Sequence, residues 1–111
     1  MKKIITLSAF SAAILLMATT GCKKSDSSSA NCNTTWSFSK DIQPILAGNC
    51  TLSGCHDGST MPLLTNYPNV KDAAAQIKSA VSSGSMPRGR SISTADKDAL
   101  LCWIAAGAEN N

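Results

Sequence analysis

Cysteine is dense in a short segment of this chain: residues 32–111 hold Cys32, Cys50, Cys55 and Cys102. A segment of this length holds one small domain. Such a domain buries only a modest apolar core, so a prosthetic group or a disulfide bond would add usefully to its stability. The overall hydrophobic fraction of 43% overstates that core, because a mostly apolar run near the N-terminus raises it.

The charge of the chain gives no sign of a nucleic-acid partner. The formal net charge of +3 comes from lysines near the N-terminus, and residues 31–111 carry six basic and six acidic side chains. A neutral domain without a basic patch does not predict binding to nucleic acid.

Residues 1–21 are typical of an export signal. Two lysines are followed by a mostly apolar run, which is too short for a spanning helix and ends in small residues. The closing letters TTGC end at Cys22 and resemble a bacterial lipobox, with Thr19 standing where that motif prefers Leu. The resemblance implies cleavage before Cys22 and acylation of its thiol. The alternative is an ordinary secretory peptide in which Cys22 is incidental.

Residues 22–31 predict a lipidated cysteine followed by a flexible, Ser-rich tether. Several acyl chains hold a protein durably on a bilayer. We therefore expect an exported protein anchored to a bacterial membrane, facing the periplasm or the cell surface. Lys23 does not resemble the Asp that retains some lipoproteins at the inner membrane, which favours the outer membrane.

Residues 32–111 predict an all-α domain, because the apolar positions follow helical spacing and no segment alternates with a period of two. The expected helices run from a cap at Ser39 to about Gly48, from near Asn69 to Gly84, and from Ser93 or Thr94 to near Gly107. Their expected buried faces are Ile42, Ile45 and Leu46; Val70, Ala73, Ala74, Ile77 and Val81; and Leu100, Leu101, Trp103, Ile104 and Ala105.

The stretch CTLSGCH, from Cys50 to His56, carries the most specific chemistry of the chain. Two thiols can add to the two vinyl groups of a haem, and a histidine directly after the second thiol is then presented to the iron. The usual spacing places two residues between the cysteines, whereas this chain has four. The stretch predicts one covalent haem c attached at Cys50 and Cys55, with the Ser53-Gly54 pair helping the longer loop to bulge.

The segment from Phe38 to Ala108 resembles a small bacterial cytochrome c domain. The resemblance is carried, in the right order, by FSKDIQPIL before the first cysteine, YPNVKDAAAQIK, SMP and LCWIAAGA. It implies a cytochrome c-like fold with three main helices and long loops around one haem. It also implies a monomeric electron carrier rather than an enzyme, with a partner protein for redox exchange.

The resemblance implies a methionine as the second axial ligand of the iron, opposite His56, and Met86 is the candidate. Met61 follows His56 by five residues, and at about 3.5 Å per residue the chain would have to run almost straight to pass the ring. The alternative role for Met86 is core packing. Arg88 and Arg90 follow this loop, and either contact haem propionates or lie on a solvated surface.

The remaining cysteines, Cys32 and Cys102, are expected to form a disulfide bond in an oxidising compartment. In the cytochrome c fold the first and last helices pack together, which implies that a residue before the first helix can approach the last. The alternative is a pair of separate thiols, with Cys102 buried in the helix core.

Three other interpretations fit parts of the sequence. One is a haemless, disulfide-bonded binding module in which Cys50 and Cys55 close a small loop. Another is a zinc site at Cys50, Cys55 and His56, which lacks a fourth ligand. A third is a haem protein with an open distal site, acting as a peroxidase-like catalyst or a ligand sensor.

Overall fold

The computed structural model describes residues 32–111. The expected signal at 1–21, the lipidation site at Cys22 and the tether at 22–31 lie outside the described residues. Within 32–111 the chain forms helices joined by irregular segments and contains no β-strand. The prediction of an all-α domain is therefore confirmed at this level. No helix among these residues combines the length and the apolar character that a membrane crossing requires.

The first helix begins with a π-helical turn, Phe38–Ile42, which runs directly into α1, Gln43–Asn49. The wide turn lies just before Pro44, which has no N–H to donate to the helix ladder. The cap is Ser37, whose hydroxyl accepts the N–H of Lys40 at 3.4 Å. The expected cap, Ser39, is wrong, because its hydroxyl donates instead to the carbonyl of Asn111 at 3.0 Å.

The second expected helix is divided into α2, Tyr67–Asp72, and α3, Ala74–Ser83. It starts two residues earlier than predicted, because the Asn66 side chain accepts the N–H of Asn69 at 3.1 Å and caps the new first turn. Gly84 ends α3 in the left-handed region with φ of 75°, as the sequence predicts.

The last helix, α4, spans Thr94–Ala105, close to its predicted limits. The Ser93 hydroxyl accepts the N–H of Asp96 at 3.0 Å and so satisfies one of the free donors of the first turn. Five consecutive residues of α4 are buried, namely Ala99, Leu100, Leu101, Cys102 and Trp103.

The core forms where the first helix meets α2 and α4. The Phe38 ring packs edge-on against Tyr67, with centroids 5.1 Å apart, and in a tilted arrangement against Trp103, with centroids 5.6 Å apart. Tyr67 donates its hydroxyl hydrogen to the backbone carbonyl of Ala108 at 3.0 Å. Trp103 donates its indole N–H to the backbone carbonyl of Glu109, also at 3.0 Å. These bonds satisfy the polar ends of aromatic rings that are otherwise packed in the core.

A disulfide bond joins Cys32 to Cys102 across 70 positions of sequence, with Cα atoms 5.2 Å apart. It attaches the segment before the first helix to the middle of α4. Nearby, the Asn111 side chain accepts the N–H of Phe38 at 2.8 Å. Both ends of the described chain are thereby fixed to the same side of the domain.

Candidate functional site

A cavity of about 470 Å³ lies between the end of α1, one side of α3 and the loop after α3. Its volume falls within the range of small-molecule sites in proteins, roughly 300–1,000 Å³. Every site residue that the sequence singled out in residues 50–90 lines this cavity: Cys50, Cys55, His56, Met86, Arg88 and Arg90.

The two cysteines of the cavity lie on a loop that leaves α1 and turns back on itself. Cys50 caps α1, and its N–H donates to the Leu46 carbonyl at 2.7 Å. The four residues that follow bulge outward through Gly54, whose φ of +80° suits glycine. The loop closes where the N–H of His56 donates to the Cys50 carbonyl at 3.0 Å. This bond brings both cysteines and the histidine to one wall.

His56 is held in one orientation by the backbone that follows it. Its Nδ1 lies 2.8 Å from the carbonyl of Pro62 and 3.3 Å from that of Thr60. A carbonyl oxygen only accepts, so Nδ1 carries the hydrogen and donates it, which leaves a lone pair on Nε2. A neutral imidazole in this tautomer offers the cavity one fixed acceptor.

The thiols of Cys50 and Cys55 are free and differ in their surroundings. Cys50 is half-buried, and its pKa is raised to about 11, first by burial and second by the neighbouring charge of the Cys55 thiolate. The guanidinium of Arg90 acts in the opposite direction, which places a positive charge within reach of the Cys50 sulfur. The Cys55 side chain is exposed.

The opposite wall of the cavity is apolar and comes mainly from α3. Ile77 and Val81 are buried and line the cavity, together with Ala80. Ala80 also accepts the N–H of Met86 through its carbonyl at 3.2 Å, which attaches the loop after α3 to that helix. Met86 is half-buried, whereas Met61, with 77% of its surface exposed, lies at the same cavity.

Two residues that hold His56 in place at the cavity are not predicted from the sequence. Leu64 is buried, lines the cavity and donates its N–H to the His56 carbonyl at 3.0 Å. Pro62 supplies the carbonyl that orients the imidazole. Both lie in an irregular segment without apolar periodicity, so only the apolar letters MPLL, directly after a polar loop, could have indicated a buried role.

The expectation of a c-type cytochrome with a His/Met-ligated haem needs correction. Among residues 32–111, no group of three or more His, Cys, Asp or Glu side chains is placed to hold a metal ion. Cys50, Cys55 and His56 line one cavity without forming such a group. This finding contradicts the haem, iron and electron-transfer interpretation, and it also goes against the zinc site.

The same finding, taken with the disulfide, favours the haemless, disulfide-bonded module that the sequence left as an alternative. The bond lies between Cys32 and Cys102, however, and not within the loop of Cys50 and Cys55. Covalent attachment at Cys50 and Cys55 and axial ligation by His56 and Met86 would both require that haem, and these four residues are shown only to line one cavity.

Comparisons of the chain with protein-family models, with curated proteins and with solved structures give no match.

Proposed function

We propose that this chain is a disulfide-bonded binding module, without catalytic activity, whose cavity holds a small apolar ligand that bears an anionic group. The observation that carries the proposal is the cavity of about 470 Å³ with an apolar wall on α3 and arginines at its edge. Concave, mostly apolar sites with a few placed polar groups are the usual form of small-molecule sites.

The chemistry of the lining supports an amphipathic ligand. Leu64, Ile77 and Val81 offer an apolar surface that favours the removal of hydrocarbon from water. Arg88 and Arg90 are exposed at the cavity and can pair with a carboxylate or a similar anion in bidentate fashion. His56 adds one acceptor through Nε2, which suits a hydroxyl or amide donor of the ligand.

The disulfide supports the proposal through rigidity. It fixes the segment before the first helix to α4, and α3 packs against α4. Because α3 supplies the apolar wall of the cavity and packs against α4, the disulfide helps to hold that wall in place. The domain then needs no larger core to keep the cavity formed. A preformed site loses less conformational entropy when it binds a ligand.

The fold itself is proposed to be cytochrome c-like. The order of the helices and the packing of the first helix against α4 support this arrangement. A fold does not fix a function, so a binding module without haem can have this fold.

The module is further proposed to be an exported, monomeric lipoprotein, anchored through Cys22 with residues 22–31 as its tether. The export signal, the lipobox-like TTGC and the polar stretch after it support this location. Mass spectrometry of the mature N-terminus would find an acylated Cys22, and Cys22→Ser would release the domain from the membrane. An unlipidated mature N-terminus at another position would contradict the anchor.

Ligand binding can be tested with an anilinonaphthalene sulfonate dye, which is apolar, anionic and fluorescent when bound. We expect one dye per protein. Ala80→Phe should abolish binding because it fills the cavity from α3, whereas Ala75→Phe, on the exposed side of the same helix, should not. Arg90→Gln should weaken binding about tenfold, equivalent to about 1.4 kcal/mol.

Two results would contradict the proposed function. One is dye binding that Ala80→Phe leaves unchanged, since the ligand would then lie elsewhere. The other is haem that stays on the polypeptide after acid–acetone extraction, when the protein is made in a host with c-type maturation machinery. Either result would show that the cavity is not a free site for a non-covalent ligand.

A further inference from the structure

We propose that Cys50 and Cys55 form a reversible disulfide by exchange with a low-molecular-weight disulfide, and that this bond narrows the cavity and lowers its affinity for ligand. Its effect on affinity rests on the proposed function above, whereas the bond itself does not. The two thiols would make the cavity sensitive to the redox state of its compartment.

The backbone between the two cysteines already brings them close together. The bond from the His56 N–H to the Cys50 carbonyl is 3.0 Å long, and His56 directly follows Cys55. Standard backbone dimensions then keep the two Cα atoms within about 8 Å of each other. Disulfide bonds have Cα separations of roughly 4.4–6.8 Å, so closure needs only a small movement.

The loop between the cysteines can make that movement. Ser53 and Gly54 are exposed, and a Cβ at position 54 would meet nothing within 4 Å. The segment from Thr51 to Gly54 has no helical ladder, and its backbone is held at its ends, by bonds from the Thr51 N–H to the Leu46 carbonyl at 2.9 Å and from the Cys55 N–H to the Leu52 carbonyl at 2.8 Å. Both sulfurs belong to residues of the same cavity wall, so a bond between them changes the shape of that wall.

The exchange proceeds in two balanced steps. In the first, the Cys55 thiolate attacks one sulfur of the small disulfide, forms a mixed disulfide and releases a small thiolate. In the second, the Cys50 thiolate attacks the Cys55 sulfur, forms the internal bond and releases a second small thiolate. The two protein thiols are oxidised, the small disulfide is reduced to two thiols, and the two protons pass to the released thiolates.

The surroundings of the thiols set the order of these steps. Cys55 is exposed and can meet a dissolved disulfide, whereas Cys50 is half-buried. Burial is the largest cause of the raised pKa of Cys50, and it persists in the mixed disulfide, so the Cys50 thiolate is scarce at neutral pH and its attack is the slow step. The rate of closure should therefore rise about tenfold per pH unit through neutral and mildly alkaline pH.

The test uses the purified mature protein and oxidised glutathione. After an acid quench and alkylation, mass spectrometry should find two modifiable thiols before treatment and none after it, with a peptide pair linked through Cys50 and Cys55. Cys50→Ser should retain glutathione on Cys55 without resolution. Cys55→Ser should react only slowly at neutral pH.

Each outcome decides one part of the proposal. Thiols that stay modifiable, or a mixed disulfide on the native protein that never resolves, would overturn the exchange. A closure rate independent of pH would overturn the role of Cys50 as the slow attacker. Dye affinity should fall about tenfold or more in the oxidised protein. Unchanged dye affinity would overturn the proposed effect of the bond on the cavity. If the bond between Cys50 and Cys55 forms but the dye binds neither the reduced nor the oxidised protein, only the proposed function is refuted.

Discussion

The Cys50 thiol makes the stability of the domain depend on alkaline pH. Burial raises its pKa from the ordinary 9.0 to about 11 in the folded chain. At a pH between these two values, the Cys50 thiol is mostly deprotonated in the unfolded chain and mostly protonated in the folded chain. The unfolded state therefore binds fewer protons, and the free energy of unfolding falls as the pH rises.

We expect this group to lower the free energy of unfolding by up to about 2 kcal/mol between pH 9 and pH 11. The measurement is denaturant unfolding of the native protein and of Cys50→Ser across that pH range under anaerobic conditions. The serine variant should lack this component, so the difference between the two curves isolates it. Parallel curves would show that Cys50 is not buried as described.

The sequence predicts the polar side chains of the candidate site better than its apolar ones. Cys50, Cys55 and His56 can be identified from the sequence, because two thiols and an imidazole at a fixed spacing have few roles outside a functional site. Leu64 and Pro62 were not found, since their roles depend on where an irregular segment packs. The spacing of the cysteines, taken alone, indicated a haem that the described residues do not support.

The helices follow local signals wherever a cap or a glycine acts within one turn. Ser93 and Gly84 mark the ends that the sequence predicted, and the structure places them there. The π-helical turn before Pro44 and the break at Ala73 were not predicted. Neither irregularity is encoded in apolar periodicity, which reports only which face of a helix is buried.

The Ser93 cap offers a direct test at the level of one helix. Ser93→Ala removes the acceptor of the Asp96 N–H and should destabilise the domain by about 1 kcal/mol. Thr94→Ala, at the exposed next position, serves as the matched control and should change stability by only a few tenths of that amount. Chemical denaturation of both variants makes the comparison. Equal effects would show that Ser93 is not the cap.

Residues 32–111 are held together by a small core of aliphatic and aromatic side chains and by the long-range disulfide. The bond closes a loop across 70 positions, so the loss of unfolded-state entropy stabilises the fold by about 4 kcal/mol. Such a contribution is large for a chain of this size. The Asn111 side chain adds a separate link, because it accepts the N–H of Phe38 at 2.8 Å.

Cys32→Ser should lower the free energy of unfolding by about 4 kcal/mol, because the exposed serine adds no cost of its own. Cys102→Ser should cost more, since it also places a hydroxyl in the core. Denaturant unfolding of the two variants gives both values. A Cys32→Ser protein as stable as the native one would show that the bond constrains little.

The cavity beside Cys50 and His56 is proposed to bind a separate, non-covalent ligand. Native mass spectrometry of the protein, purified from an exporting host with c-type maturation machinery, tests it most directly. We predict an organic ligand that accompanies the folded protein and departs on denaturation, which leaves the polypeptide with its N-terminal lipid alone. A denatured polypeptide that still carries the mass of a haem would contradict the account.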